Sequence, residues 1–194
     1  MEALILSAND PELWSKLHPK KLSTTIFVTP TDTVYGLNTS ASNLEGIERI
    51  RKLKHRQAGQ FIYLVRTVEE AERFVSVSDS QRQILQRYWP GAISFVLKRI
   101  DREETAALRM PSFPFLQRLM EVVGEPLVST SCNRHGEKPV ETLQEAISLF
   151  QDSVDLYIDG GKLLASASTL VDITQMPPQI LRQGNVKFLL KSTN

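Results

Sequence analysis

Short apolar runs rich in β-branched residues alternate along this chain with amphipathic stretches, the pattern of a mixed α/β fold. The runs predict strands at Thr25–Val28, Phe61–Val65, Ile93–Leu97, Ala107–Met110, Leu127–Thr130, Leu156–Ile158, Thr169–Ile173 and Gln179–Leu181. The amphipathic stretches predict helices over Pro11–Leu17, Leu44–Leu53, Val68–Phe74, Asp79–Tyr88, Pro114–Val123 and Leu143–Phe150. Asn43, Ser78 and Thr142 each stand just before one of these helices and can cap it. Two polar clusters fall at strand ends. Pro30-Thr31-Asp32-Thr33-Val34-Tyr35-Gly36 follows Ile26-Phe27-Val28, and Ser129-Thr130-Ser131-Cys132-Asn133 closes the run after Pro126. Open α/β sheets collect ligands where strands give way to loops, so both clusters stand where a site is expected.

Composition narrows the picture without deciding it. The chain has 194 residues, of which 41% are apolar, enough for one cored domain spanning 1–194. No repeat or dividing linker stands out. The formal net charge of +1 gives no bulk field for nucleic acid, so any anion site must come from local placement of Lys and Arg. The single cysteine, Cys132, excludes an intramolecular disulfide and a Cys-rich metal site; it reads as a small packing residue. No basic segment followed by an apolar run opens the chain, and nothing approaches the roughly 18 apolar residues of a membrane span. The expected setting is cytoplasmic, with no membrane partner.

Several nucleotide and metal chemistries are excluded by motif. His18, His55 and His135 lack ligand spacing, so no metal site within the protein is expected. There is no G-x-x-x-x-G-K-[ST] loop, no G-x-G-x-x-G and no G-x-S-x-G; ATP, if bound, is held by another geometry.

The remaining candidates each admit two readings. Thr31 and Asp32 either satisfy local backbone groups in a turn or present hydroxyls and N–H groups to a small zwitterion. Lys52, Lys54 and Arg56 either answer a helix C-terminus or point together at one anion. Ser129, Thr130, Ser131 and Asn133 either close a strand or cradle a phosphate or carboxylate. Arg109, between Leu108 and Met110, either lies on an exposed edge strand or faces an anion such as an amino-acid carboxylate. Arg182 poses the same question.

Taken in order, these segments resemble the YrdC/TsaC family of threonylcarbamoyl-adenylate synthases. The resemblance runs from about Thr25 to Gly184. Its most specific piece is Pro30 to Leu37, which is similar to the family's P-T-[DE]-T-x-Y-G-L. Lys54-His55-Arg56 matches K-x-R and Ser131-Cys132-Asn133 matches S-x-N. Trp89-Pro90-Gly91, Arg109-Met110-Pro111, Ile158-Asp159-Gly160-Gly161, Ser168-Thr169 and Leu181-Arg182-Gln183-Gly184 follow in family order. The sequence departs from the pattern at Gln57 (usually proline), Val65 (often histidine) and Ala167 (often an acid).

The resemblance implies a twisted mixed parallel/antiparallel sheet with flanking helices around a large concave cavity. It implies synthesis of threonylcarbamoyl-adenylate from L-threonine, bicarbonate or carbon dioxide, and ATP with magnesium, with pyrophosphate leaving. Threonine would be met by Thr31, Thr33, Tyr35, Arg109, Ser129 and Ser168. ATP would be met by Lys54, Arg56, Gln60, Thr105, Ser131, Asn133 and Arg182, with Lys54, Arg56, Ser131 and Asn133 carrying the chemistry. The adenylate would pass to a TsaD-type transferase complex for modification of tRNA at position 37, and direct tRNA contact is conceivable. Alternatives are a non-catalytic RNA-binding module, which the near-zero net charge disfavours, and a related carbamoyl-adenylate chemistry.

Overall fold

Side chains just before the helices fix where several of them start. Asn43 accepts from the Gly46 N–H, while Ser78 with Gln81 and Thr142 with Glu145 form reciprocal boxes in which each partner satisfies the other's backbone. All three caps are the ones read from the sequence. In this computed structural model the described residues are 3–55, 61–134, 136–164 and 166–189. Among them the helices are α1 (Leu13–Lys16), α2 (Pro19–Leu22), α3 (Leu44–Leu53), α4 (Val68–Ala71), α5 (Asp79–Tyr88), α6 (Pro114–Val123) and α7 (Leu143–Phe150). The helix expected over Pro11–Leu17 is therefore a single turn, and α4 stops short of Phe74.

The strands are β1 (Leu4–Ser7), β2 (Phe27–Thr29), β3 (Gly36–Ser40), β4 (Ile62–Leu64), β5 (Ile93–Lys98), β6 (Thr105–Arg109), β7 (Leu127–Ser131), β8 (Leu156–Asp159), β9 (Thr169–Asp172) and β10 (Gln179–Arg182). They form one 10-stranded sheet in the order β1-β8-β2-β3-β7-β4-β6-β5-β9-β10. Pairing is mixed: β4 and β6 run parallel, whereas β2 with β3, β3 with β7, and β5 with β6 are antiparallel. β6 lies between β4 and β5, so Arg109 is not on an edge.

Strand alternation sends neighbouring residues to opposite faces. Phe27, Leu127 and Leu156 pack with Leu13, Leu22, Leu116 and Met120 under α1, α2 and α6. Val28, Val128 and Tyr157 pack with Ile50 of α3 and Phe150 of α7 on the other face. A third cluster joins Ala71 and Leu85 to Phe95, Leu108 and Val171 beneath α4 and α5. Fully burying one such side chain contributes about 1.5–3 kcal/mol, so both covered faces stiffen the sheet. The face that α6 covers at one end stays open further along. There Gly36, Ser129, Ser131, Ile62, Leu64, Ala107, Arg109 and Leu170 line a hollow of about 310 Å³.

Candidate functional site

The Pro30–Tyr35 loop joins β2 to β3, whose register places Thr29 opposite Gly36. Within it the Thr31 hydroxyl donates to the Val34 carbonyl at 2.7 Å and accepts the Thr33 N–H at 3.0 Å. Thr31 and Thr33 hydroxyls lie 2.9 Å apart. Because Thr31's one hydroxyl proton goes to Val34, Thr33 is the donor of that pair. Its remaining lone pairs face Arg109, whose Nη1 donates to Thr33 Oγ1 at 3.0 Å. The turn thus satisfies its own backbone, and Thr31 and Thr33 stand at the wall of the cavity.

Arg109 is 4% exposed. Its Nε donates to the Gly91 carbonyl at 3.0 Å, and its Nη2 makes an ion pair with Asp32. Burial pulls the guanidinium down from its usual value, and the Asp32 carboxylate opposes that pull. Of the five N–H donors of a guanidinium, three are taken, leaving one on each terminal nitrogen. Two donors suit a ligand carboxylate.

Opposite this corner, Arg182 of β10 donates from Nε and Nη2 to the Ser168 carbonyl at 3.1 and 2.9 Å. Ser168 in turn lies 2.9 Å, hydroxyl to hydroxyl, from buried Ser94. Gly184 permits this fold-back, since a Cβ there would meet the Ala167 carbonyl at 2.2 Å. Ala167, Ser168 and Arg182 all line the hollow.

The S-x-N segment is held from behind. Lys54, 3% exposed, donates from Nζ to the Ser131 and Asn133 carbonyls at 2.7 and 2.6 Å and to Asn133 Oδ1. Ser131 Oγ also donates to Asn133 Oδ1, and Asn133 Nδ2 reaches the Glu137 carbonyl, both at 2.7 Å. A buried ammonium needs such oxygens. Here they make Lys54 a brace that fixes Ser131 at the cavity wall, and neither Lys54 nor Asn133 lines the hollow itself.

Of the residues expected around threonine, Thr31, Thr33, Arg109, Ser129 and Ser168 converge on this hollow. Tyr35 does not. It is fully buried on the opposite face, donating to the Gly161 carbonyl at 2.7 Å and accepting the Gly160 N–H at 3.0 Å; burial raises its hydroxyl to about 12. Tyr35 therefore locks the Asp159-Gly160-Gly161 turn, and the expected threonine contact is corrected. Of the residues expected around ATP, Ser131 and Arg182 line the hollow. Thr105 opens β6 opposite Lys98, two residues before Ala107, outside the lining. Arg56 and Gln60, with Gln57 and His135, lie outside the described residues. The cations of α3 diverge: Lys52 joins Arg49, His55 and Arg134 around a separate outer groove, so Lys52 and Lys54 do not share an anion.

Sequence reading missed Asp32 as Arg109's counter-charge, Ser94 behind Ser168, and Asn38. Asn38 is fully buried, and its Oδ1 has no hydrogen-bond partner among the described residues. A Cβ on Gly36 would come within 2.9 Å of that oxygen and 3.2 Å of Ser129 Oγ, so glycine keeps this floor open. Val65, where the family pattern often has histidine, is buried in the cluster beneath α4 and α5. Cys132 packs fully buried among apolar groups, as expected.

Fold and site together define a class: a mixed α/β sheet whose open face holds a small hollow with a tethered, half-committed arginine at one wall and hydroxyls around it. The profile of the Sua5/YciO/YrdC family, described as "Telomere recombination", matches residues 23–184, and the chain belongs to that family. A protein of Mycobacterium tuberculosis (strain CDC 1551 / Oshkosh), provisionally named a threonylcarbamoyl-AMP synthase, is 33% identical over 172 residues, covering 83% of this chain and 79% of that one. The uncharacterized protein YciO of Escherichia coli (strain K12) is 29% identical over 170 residues, 82% of each chain. Among solved structures, Sua5 of P. abyssi (the H234A/Y235A form) superposes with a TM-score of 0.86 at 25% identity, over 94% of this chain and 57% of that one. Sua5 of the same source has also been solved in complex with L-threonine; it superposes with a TM-score of 0.81 at 24% identity, covering 95% and 58% of the two chains.

Proposed function

We propose that this chain is a nucleotidyltransferase that makes threonylcarbamoyl-adenylate from L-threonine, bicarbonate and ATP. The observation that carries the reading is Arg109: buried, fixed on three sides, with two N–H groups left among Thr33, Ser129 and Ser168 in one hollow. That arrangement suits a small amino-acid carboxylate with hydroxyl and amine groups nearby. The volume of about 310 Å³ sits at the small end of the roughly 300–1,000 Å³ range of ligand sites. A relative named threonylcarbamoyl-AMP synthase in Marinobacter nauticus, 30% identical over 142 residues, supports the same reading.

The chemistry has two steps. Bicarbonate takes up a proton and loses water to supply carbon dioxide; threonine's neutral amine adds to that carbon and loses a proton, giving an N-carboxylate. A carboxylate oxygen then attacks the α-phosphorus of ATP; the bond to the bridging oxygen breaks and pyrophosphate leaves. Negative charge gathers on phosphoryl oxygens, so placement of cations and N–H groups supplies most of the catalysis. Ser131, braced by Lys54, and Arg182, held on Ser168, are the described groups offered to the phosphates; Arg56 belongs with them by its motif. Magnesium, a hard cation that prefers phosphate oxygens, enters on the triphosphate. The adenylate is labile and is consumed by a TsaD-type transferase acting on tRNA.

The test is direct. The protein is incubated with ATP, magnesium, bicarbonate and either threonine or serine, and pyrophosphate release is followed. Release that depends on threonine supports the assignment. Release equal with and without amino acid defeats it.

A further inference from the structure

We propose that Asp32 is the positioning residue that turns Arg109 into a carboxylate receptor and keeps phosphate out of the amino-acid end of the hollow. The proposal rests on the function given above and names a residue that function does not require in advance.

Asp32 is pinned at both oxygens. One accepts from Arg109 Nη2; the other accepts the Ser112 N–H at 3.2 Å and the Ser112 hydroxyl at 3.1 Å. The carboxylate thus bridges the Pro30–Tyr35 loop to the segment just after β6, and it cannot swing away when a ligand arrives. Arg109 is held from three directions, by Gly91, Thr33 and Asp32, which fixes the plane of the guanidinium and the positions of its last two N–H groups within it. A fixed fork loses less freedom on binding than a floppy one. An amide cannot copy this bridge. It has one acceptor oxygen, so either Arg109 or Ser112 would face an N–H.

Charge makes the second half of the argument. Asp32 and Arg109 form a pair with no net charge, at side-chain exposures of 13% and 5%. A zwitterionic amino acid brings no net charge either, and its carboxylate can use the two open donors. A phosphate dianion would bring excess negative charge beside a buried carboxylate, where repulsion is screened little. ATP's phosphates are thereby confined to the side of Ser131 and Arg182.

The test uses steady-state pyrophosphate release by the full chain, with Asp32→Asn, Asp32→Glu and Ser112→Ala. Asp32→Asn should raise the KM for threonine about tenfold or more, with kcat and the KM for ATP within about twofold. Asp32→Glu, which keeps charge and two acceptors, should recover most of that loss. Ser112→Ala should give a smaller rise in the same direction, and it serves if Asp32→Asn does not fold. Inorganic phosphate should compete with threonine in Asp32→Asn and not in the unsubstituted protein. Unchanged threonine KM, or equal changes for threonine and ATP, overturns the proposal. Should the unsubstituted protein release no pyrophosphate with threonine, the function falls on its own account. Titration calorimetry then decides Asp32: phosphate binding gained by Asp32→Asn supports it, and equal binding by both proteins overturns it.

Discussion

Arg109→Ala removes the guanidinium at the wall of the hollow that pairs with Asp32 behind it, together with the two donors offered to a ligand. A charge-assisted bond contributes about 1.5–3 kcal/mol, so the KM for threonine should rise by at least tenfold while that for ATP moves little. Steady-state kinetics with each substrate varied would check this, and equal rises would refute the carboxylate role. Gly36→Ala tests the floor of the same hollow. Its new Cβ would stand 2.9 Å from Asn38 Oδ1 and 3.2 Å from Ser129 Oγ, so the neighbours must shift and threonine binding should weaken before ATP binding does. At this scale each hydroxyl and the arginine admitted a bland reading as well, and it was their order in the family's motifs, from Pro30–Leu37 to Leu181–Gly184, that singled out the groups now found around the hollow. What was not readable is which partner each group takes. Tyr35 shares its motif with Thr33, yet its ring packs in the core of the opposite face, where its hydroxyl serves the Gly160–Gly161 turn. Asp32 reads as a turn residue until β6 brings Arg109 beside it.

At the scale of elements, capping chemistry is local, and that is why Asn43, Ser78 and Thr142 could be placed from sequence. Removing one should cost stability without touching the site. Thr142→Ala breaks the reciprocal box at the start of α7 and should lower stability by about 1 kcal/mol, read as a shift in urea midpoint with threonine KM unchanged. A loss of activity at full stability would contradict this. β3 was missed for the opposite reason. Gly36-Leu37-Asn38-Thr39-Ser40 is mostly polar and looks like loop, yet all five residues are buried between β2 and β7. Asn38 bonds the Gly36 carbonyl at 2.8 Å and Thr29 Oγ1 at 3.1 Å, and Thr39 donates to the Thr25 carbonyl at 2.8 Å. Polar groups satisfied this way make a strand that periodicity does not detect. β1 was missed as well, because its exposed Leu4 and Ile5 break the alternation of a half-buried strand. The short α1 and α2 turns beside it owe their burial to Leu13, Leu17 and Leu22 packing near α6, a contact far away in sequence.

The whole molecule sets which charges meet, and that depends on strand order. Lys52 and Lys54 are two residues apart, yet one faces an outer groove and the other is buried behind β7. The same burial has a consequence for pH. Cys132 sits fully buried beside Lys54's anchor, and desolvation pushes its thiol from 9.0 up to about 12. Tyr35 moves from 10.0 to about 12, also by burial. In the folded protein both groups keep their protons at pH values where the unfolded chain sheds them. The unfolded state then binds fewer protons, so the contribution of these two groups is fully present below about pH 9 and declines as pH rises toward 12. For Cys132 alone the slope is at most about 1.4 kcal/mol per pH unit across that window. Urea midpoints should therefore hold steady near neutrality and fall beyond about pH 9, and Cys132→Ala should flatten the fall. The same burial predicts that a thiol reagent at neutral pH labels Cys132 only as fast as the protein unfolds. Complete labelling of the folded protein within seconds, or a midpoint that rises with pH above 9, would mean that Cys132 is not shut in the core behind the cavity wall.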